Sequence, residues 1–96
     1  MIELYKGEKR LCGMKISSRS GKIFTIESVS CKVVDNAGIT IQEEEEGIVE
    51  EHSVFCLVDT TLDGYVYSKG YILQFSIVLK DVPKIIMGKL SIKIKK

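Results

Sequence analysis

Tyr71-Ile72-Leu73-Gln74-Phe75-Ser76-Ile77-Val78-Leu79 is the stretch that decides the fold. Tyr71, Leu73, Phe75, Ile77 and Leu79 share one parity, the period of a strand that sends alternate side chains into a core. The other parity (Ile72, Gln74, Ser76, Val78) is mixed, as suits a face that meets water in part. Leu90, Ile92 and Ile94 repeat the alternation against Ser91, Lys93 and Lys95. No window of helical length gathers its apolar residues on one helical face. Residues 43–51 carry helix-forming glutamates but too few apolar partners to dock.

Outward from this stretch, further strands are expected at residues 9–16, 22–26, 28–34, 39–42, 48–59 and 64–67. Phe24 and Ile26 lie on one phase, whereas Val29, Cys31 and Val33 lie on the other. A bulge near Glu27-Ser28 reconciles them, because one inserted residue exchanges the two faces. Turns are expected at residues 17–21, at Asp35-Asn36-Ala37-Gly38, at Asp63-Gly64 as a hairpin, and at residues 81–84 with the single proline. About seven short strands at this spacing predict an all-β chain, a single β-sandwich domain over residues 1–96. The expected form is an immunoglobulin-like antiparallel β-sandwich. A small β-barrel is the competing architecture, since both bury alternate residues.

Composition narrows the function classes. A 45% hydrophobic and 28% charged chain matches a soluble globular domain rather than a disordered or membrane one. Its dense apolar runs are far shorter than the roughly 20 residues of a membrane helix, and no secretory signal is readable. Cys12, Cys31 and Cys56 form no CxxC pair, and their number is odd. They are expected to be free buried thiols in a reducing interior. The alternative, a Cys31–Cys56 bridge, requires an oxidising compartment.

Candidate chemistry is sparse. Glu43, Glu44, Glu45 and Glu46, with Glu50 and Glu51, form the densest charged feature. Six carboxylates within nine residues have the oxygen chemistry of a hard-cation site. Consecutive strand residues, however, point to opposite faces and lack the spacing of a calcium loop, so a solvated hairpin tip is expected, with ion binding and protein contact as its functional readings. His52 stands beside the run without a nucleophile motif, and no serine lies in a G-x-S-x-G setting. No phosphate-cradling glycine pattern is present. No catalytic, cofactor-binding or metal-binding residue is therefore assigned, and a non-enzymatic protein is expected. Tyr65, Tyr67 and Tyr71 surround Ser68-Lys69-Gly70; exposed on one concave face, they would serve a small ligand- or carbohydrate-binding module. Lys93 and Lys95 in the closing strand are expected to protect a sheet edge, or to meet a partner. Nucleic acid is not the expected partner.

The net charge of +1 hides a partition. Residues 1–32 carry +4, residues 33–64 carry −9 with no lysine or arginine, and residues 65–96 carry +6. Oppositely charged regions predict association with other protein subunits, including copies of the chain itself.

Several stretches resemble the small immunoglobulin-like domains of bacteriophage and prophage structural proteins, such as the N-terminal domain of the baseplate upper protein. They are Phe24-Thr25-Ile26, the strand at residues 29–35, the Asp35-Asn36-Ala37-Gly38 turn into Ile39-Thr40-Ile41, Gly70-Tyr71-Ile72-Leu73-Gln74-Phe75, and residues 89–95. The resemblance spans residues 20–96 and implies assembly rather than chemistry. It implies a tail, baseplate or neck component, made in the bacterial cytoplasm and incorporated into a virion. It transfers no functional residue; Tyr71 is its nearest match to a tyrosine-corner position.

Overall fold

The computed structural model describes residues 1–17, 21, 23–80 and 84–96. Among these residues are eight strands: β1 Ile2–Tyr5, β2 Lys9–Lys15, β3 Ile26–Asp35, β4 Thr40–Glu46, β5 Ile48–Glu50, β6 Ser53–Asp59, β7 Gly70–Leu79 and β8 Ile85–Lys95. They form a five-stranded sheet in the order β1-β8-β7-β3-β4 and a three-stranded sheet in the order β2-β6-β5. The described residues contain no helix and no closed barrel, so the fold is a β-sandwich.

The deciding strand behaves as its alternation requires. Tyr71, Leu73, Phe75 and Ile77 are at most 2% exposed, each removing one large side chain from water. Burial of a side chain of this size contributes roughly 1.5–3 kcal/mol. They meet Val29, Cys31 and Val33 of β3 within their own sheet, and Val54, Cys56 and Val58 from β6 of the facing sheet. The expected phase change occurs where the sequence placed it, as a register shift between Ile26 and Ser28 against β7. One irregular step there lets Ile26 and Val29 both face inward.

The Asp35 turn also forms. The Asp35 carboxylate accepts the Ala37 and Ile39 N–H groups at 2.9 Å each, and Gly38 takes φ 85°. That left-handed backbone is one glycine adopts without a Cβ penalty.

Other expectations are corrected. Residues 48–59 are two strands, β5 and β6, separated by a turn in which Glu51 has φ 54°. Residues 64–67 form no strand, and Asp63-Gly64 is not a hairpin tip, because β6 and β7 belong to different sheets. Residues 23–25 precede β3 rather than forming a strand of their own. Ser18, Arg19 and Ser20 of the first turn, Lys22 of the strand expected at residues 22–26, and Asp81, Val82 and Pro83 of the proline turn lie outside the described residues.

The cysteine expectation is corrected most sharply. Cys31 on β3 and Cys56 on β6 form a disulfide across the sandwich, with Cα atoms 6.4 Å apart. Cys12 on β2 is the remaining thiol and is buried. The alternation that hid these residues as small apolar groups also aims both sulfurs at the space between the sheets.

Candidate interaction surfaces

The acidic run is an edge strand, not a hairpin tip. Residues Glu43, Glu44, Glu45 and Glu46 belong to β4, the last strand of the five-stranded sheet, and all four are exposed. At Gly47 the chain crosses to β5 of the other sheet, and the Gly47 N–H donates to the Val29 carbonyl at 2.8 Å. A Cβ at Gly47 would stand 2.7 Å from the Phe55 carbonyl oxygen and 2.8 Å from Val29 Cγ1, so the corner requires glycine. Glu50 ends β5 and Glu51 occupies the following turn. The six carboxylates therefore follow a margin of the sandwich. Among the described residues, no three His, Cys, Asp or Glu side chains converge as a metal site.

The basic closing strand is not an edge along its whole length. β1 pairs in parallel with residues Ile92 to Lys95 of β8, so both Lys93 and Lys95 lie on an interior strand. Lys95 is engaged within the fold: its Nζ is 2.7 Å from the Glu3 carboxylate and 5.8 Å from the Tyr5 ring centroid. The ion pair lowers the pKa of Glu3 and raises that of Lys95. Lys93 is exposed on the outer face of the sheet. Of the two lysines, Lys93 is the one left to meet a partner.

Strand order sets the wider charge pattern. Glu43 to Glu46 lie at one margin of the five-stranded sheet, and Lys89, Lys93 and Lys95 lie on β8 towards the other. Between them the outer face carries Ser28, Ser30 and Lys32 of β3 and Ile72, Gln74, Ser76 and Val78 of β7. The Ser30 hydroxyl donates to the Glu44 carboxylate at 3.1 Å. The division seen along the chain thus becomes in part a division across one sheet, with Lys32 of β3 standing near the acidic margin and Glu3 of β1 at the basic one.

The tyrosines do not make a stacking platform. Tyr65 and Tyr71 are 1% and 2% exposed and pack edge to face, with ring centroids 5.0 Å apart. The Tyr71 hydroxyl donates to the Gly64 carbonyl at 3.0 Å and accepts the Val66 N–H at 2.7 Å. The Tyr65 hydroxyl donates to Gln42 Oε1 at 2.9 Å, and burial holds its pKa well above the ordinary phenol value. Gln42 also accepts the Asp59 N–H and donates to the Leu57 carbonyl, tying β4 to β6. Only Tyr67 of the three is exposed. The loop before β7 is held by hydroxyl groups whose sequence signal, two tyrosines near a glycine, reads equally well as a binding face.

His52 stacks on Phe24 with centroids 4.5 Å apart, and its Nε2 is 3.1 Å from the Phe24 carbonyl oxygen. The shallow depression beside it is lined by Lys15, Ile16, Ser17, Gly21, Ile23 and Phe24. That contact has the imidazole bracing a loop.

A search of known proteins finds no matching family model, no similar characterised protein and no similar solved structure.

Proposed function

We propose that the chain is a non-enzymatic immunoglobulin-like interaction domain that works through protein–protein contacts in a phage- or prophage-type tail, baseplate or neck assembly. The observation that carries this reading is the segregation of charge across one exposed sheet, with Glu43 to Glu46 at one margin and Lys89 and Lys93 towards the other. Complementary potentials of this kind orient partners and raise association rates more than they raise affinity.

Two features support the immunoglobulin-like part. The order β1-β8-β7-β3-β4 facing β2-β6-β5 has a short first strand parallel to the last, and the chain changes sheet between β1 and β2, β2 and β3, β4 and β5, and β6 and β7, a crossing pattern that suits that topology. Tyr71, at the start of β7, bonds back to the Gly64–Val66 corner in the manner of a tyrosine corner. The Cys31–Cys56 bond favours a protein that ends in an oxidising setting, which a virion exposed outside the cell provides.

Mass spectrometry of purified phage-like particles tests the reading. The chain is expected at a defined copy number relative to known structural subunits. Its absence from particles, with the chain abundant in the same lysate, overturns the assembly role.

A further inference from the structure

Resting on that reading, we infer that copies of this chain join head to tail by continuing the five-stranded sheet. The acidic β4 edge of one copy pairs with the open half of β8 in the next.

The two edges are the ends of one sheet. β8 has eleven residues, and β1 covers the last four, leaving the seven from Ile85 to Ser91 without a partner strand on that side among the described residues. Among the described residues β4 pairs only with β3, and its register against β3 shifts on either side of Val33. The regular part of its free edge is therefore residues 44–46, which the open stretch of β8 is long enough to accommodate. An unpaired strand edge is a template for another strand, because its N–H and C=O groups have only water to bond.

Backbone phase identifies which groups are free. The Ile94 N–H donates to the Lys69 carbonyl and the Lys6 N–H donates to the Lys95 carbonyl. Even-numbered residues of β8 therefore bond towards β7, and Ile85, Met87 and Lys89 direct their backbone groups at the open side. In β4, Glu45 pairs with Cys31 and the Gly47 N–H bonds the Val29 carbonyl, so Glu44 and Glu46 direct theirs away from β3. All five side chains are exposed, with Ile85 at 60% and Met87 at 59%.

Direction and charge agree with the pairing. β8, β7, β3 and β4 are successively antiparallel, so β4 runs opposite to β8. A copy displaced along the sheet brings its β4 antiparallel to β8, and the outer faces of both copies remain on one side. Glu44 and Glu46 of one copy then stand beside Lys89 of the next, with Ile85 and Met87 between them and water. Like edges meeting would place glutamates against glutamates, and opposite charge selects the heterologous pairing. Such a contact leaves a fresh β4 and a fresh β8 edge at the two ends and so propagates.

Sedimentation velocity on the purified chain tests this at about 0.01 M and about 1 M salt, where the screening length is roughly 30 and 3 Å. At low salt the mean mass is expected to rise with concentration beyond twice the 10.8 kDa monomer, and at high salt to fall towards it. The variants Glu44→Lys/Glu46→Lys and Met87→Glu/Lys89→Glu each place like charges at both edges and are expected to remain monomeric, with unchanged circular dichroism. Mixed in equal amounts, they present opposite charges again and are expected to assemble beyond a dimer. A wild-type monomer at every concentration and salt overturns the inference, as does a mixture that stays monomeric or stops at a dimer. If the chain is monomeric in solution yet present in particles, head-to-tail pairing fails while the broader assembly reading stands.

Discussion

Cys12 stands directly opposite Cys56 in the β2–β6 ladder, so the one free thiol faces the strand position whose sulfur is bonded to Cys31. Thiol–disulfide exchange needs a thiolate, and burial raises the Cys12 pKa above its ordinary value. The folded protein is therefore expected to keep the Cys31–Cys56 pairing near neutral pH. Peptide mapping after alkylation should show Cys12 labelled only once the chain is unfolded, with a Cys12–Cys56 peptide arising only under denaturing, alkaline conditions.

Removing the bridge should be costly. The two cysteines are 25 residues apart, and closing a loop of that length restricts the unfolded chain by about 3.5 kcal/mol. Cys31→Ala/Cys56→Ala is expected to lower the urea unfolding free energy by about that amount. Reductant should lower the wild type similarly and leave the double variant unchanged.

The two buried tyrosines should differ in what their hydroxyls contribute. Tyr71→Phe leaves the Val66 N–H and the Gly64 carbonyl without their partner and is expected to cost about 2 kcal/mol. Tyr65→Phe leaves Gln42 Oε1 still accepting the Asp59 N–H, and a smaller loss of about 1 kcal/mol is expected. Equal losses in chemical denaturation would contradict the assigned bonding.

Glycine positions separate a shortage of space from backbone strain. At Gly13 a Cβ would collide with the Phe55 ring and the Val54 carbonyl, so Gly13→Ala must part β2 from β6. Gly7 has open space around it but φ 93°, and Gly7→Ala is expected to cost only about 1–2 kcal/mol. Thermal unfolding should rank Gly13→Ala as the more damaging.

Stability should fall at both pH extremes, for different reasons. Asp59 is held below the usual carboxylate range mainly by the Thr61 hydroxyl and N–H, and Glu8 mainly by the Tyr5 N–H. Their contribution is present above the unfolded values near 4 and disappears as pH drops through the lower folded ones. Asp59→Asn should flatten this acid limb. Tyr65 has the opposite sign: its folded pKa is raised, so stability is intact below about pH 10 and declines as pH climbs above it. Tyr65→Phe should remove part of that alkaline loss, measured by denaturant titration at each pH.

Much of this architecture was legible from side-chain alternation, because strands with one buried face write their phase into the sequence. Tyr71 to Leu79 announced β7, and the clash of phases around Glu27 announced the irregular step that the β3–β7 register contains. β1 was not anticipated: four residues beginning Ile2-Glu3-Leu4 are too short for periodicity, and they become a strand only because β8 is there to pair with. The break between β5 and β6 depends on a left-handed Glu51, which glutamate rarely adopts and no residue pattern marks. Local charge was equally readable, but its placement was not. Whether Glu43 to Glu46 form a tip or an edge is decided by strand order, a non-local property. The disulfide follows the same logic, since two buried cysteines 25 residues apart meet only once the sheets are stacked.

The parallel pairing of β1 with β8 has a mechanical consequence. The two strands run the same way, so the start of β1 and the end of β8 point in opposite directions. Tension applied between residues 1 and 96 would slide these strands past one another and load every bond of that ladder at once, rather than peeling them singly. Behind it, the Cys31–Cys56 bond closes a loop of chain that cannot be drawn out while the bond is intact. A domain pulled by its ends would resist first through four residues of strand pairing and then through a covalent limit on its extension.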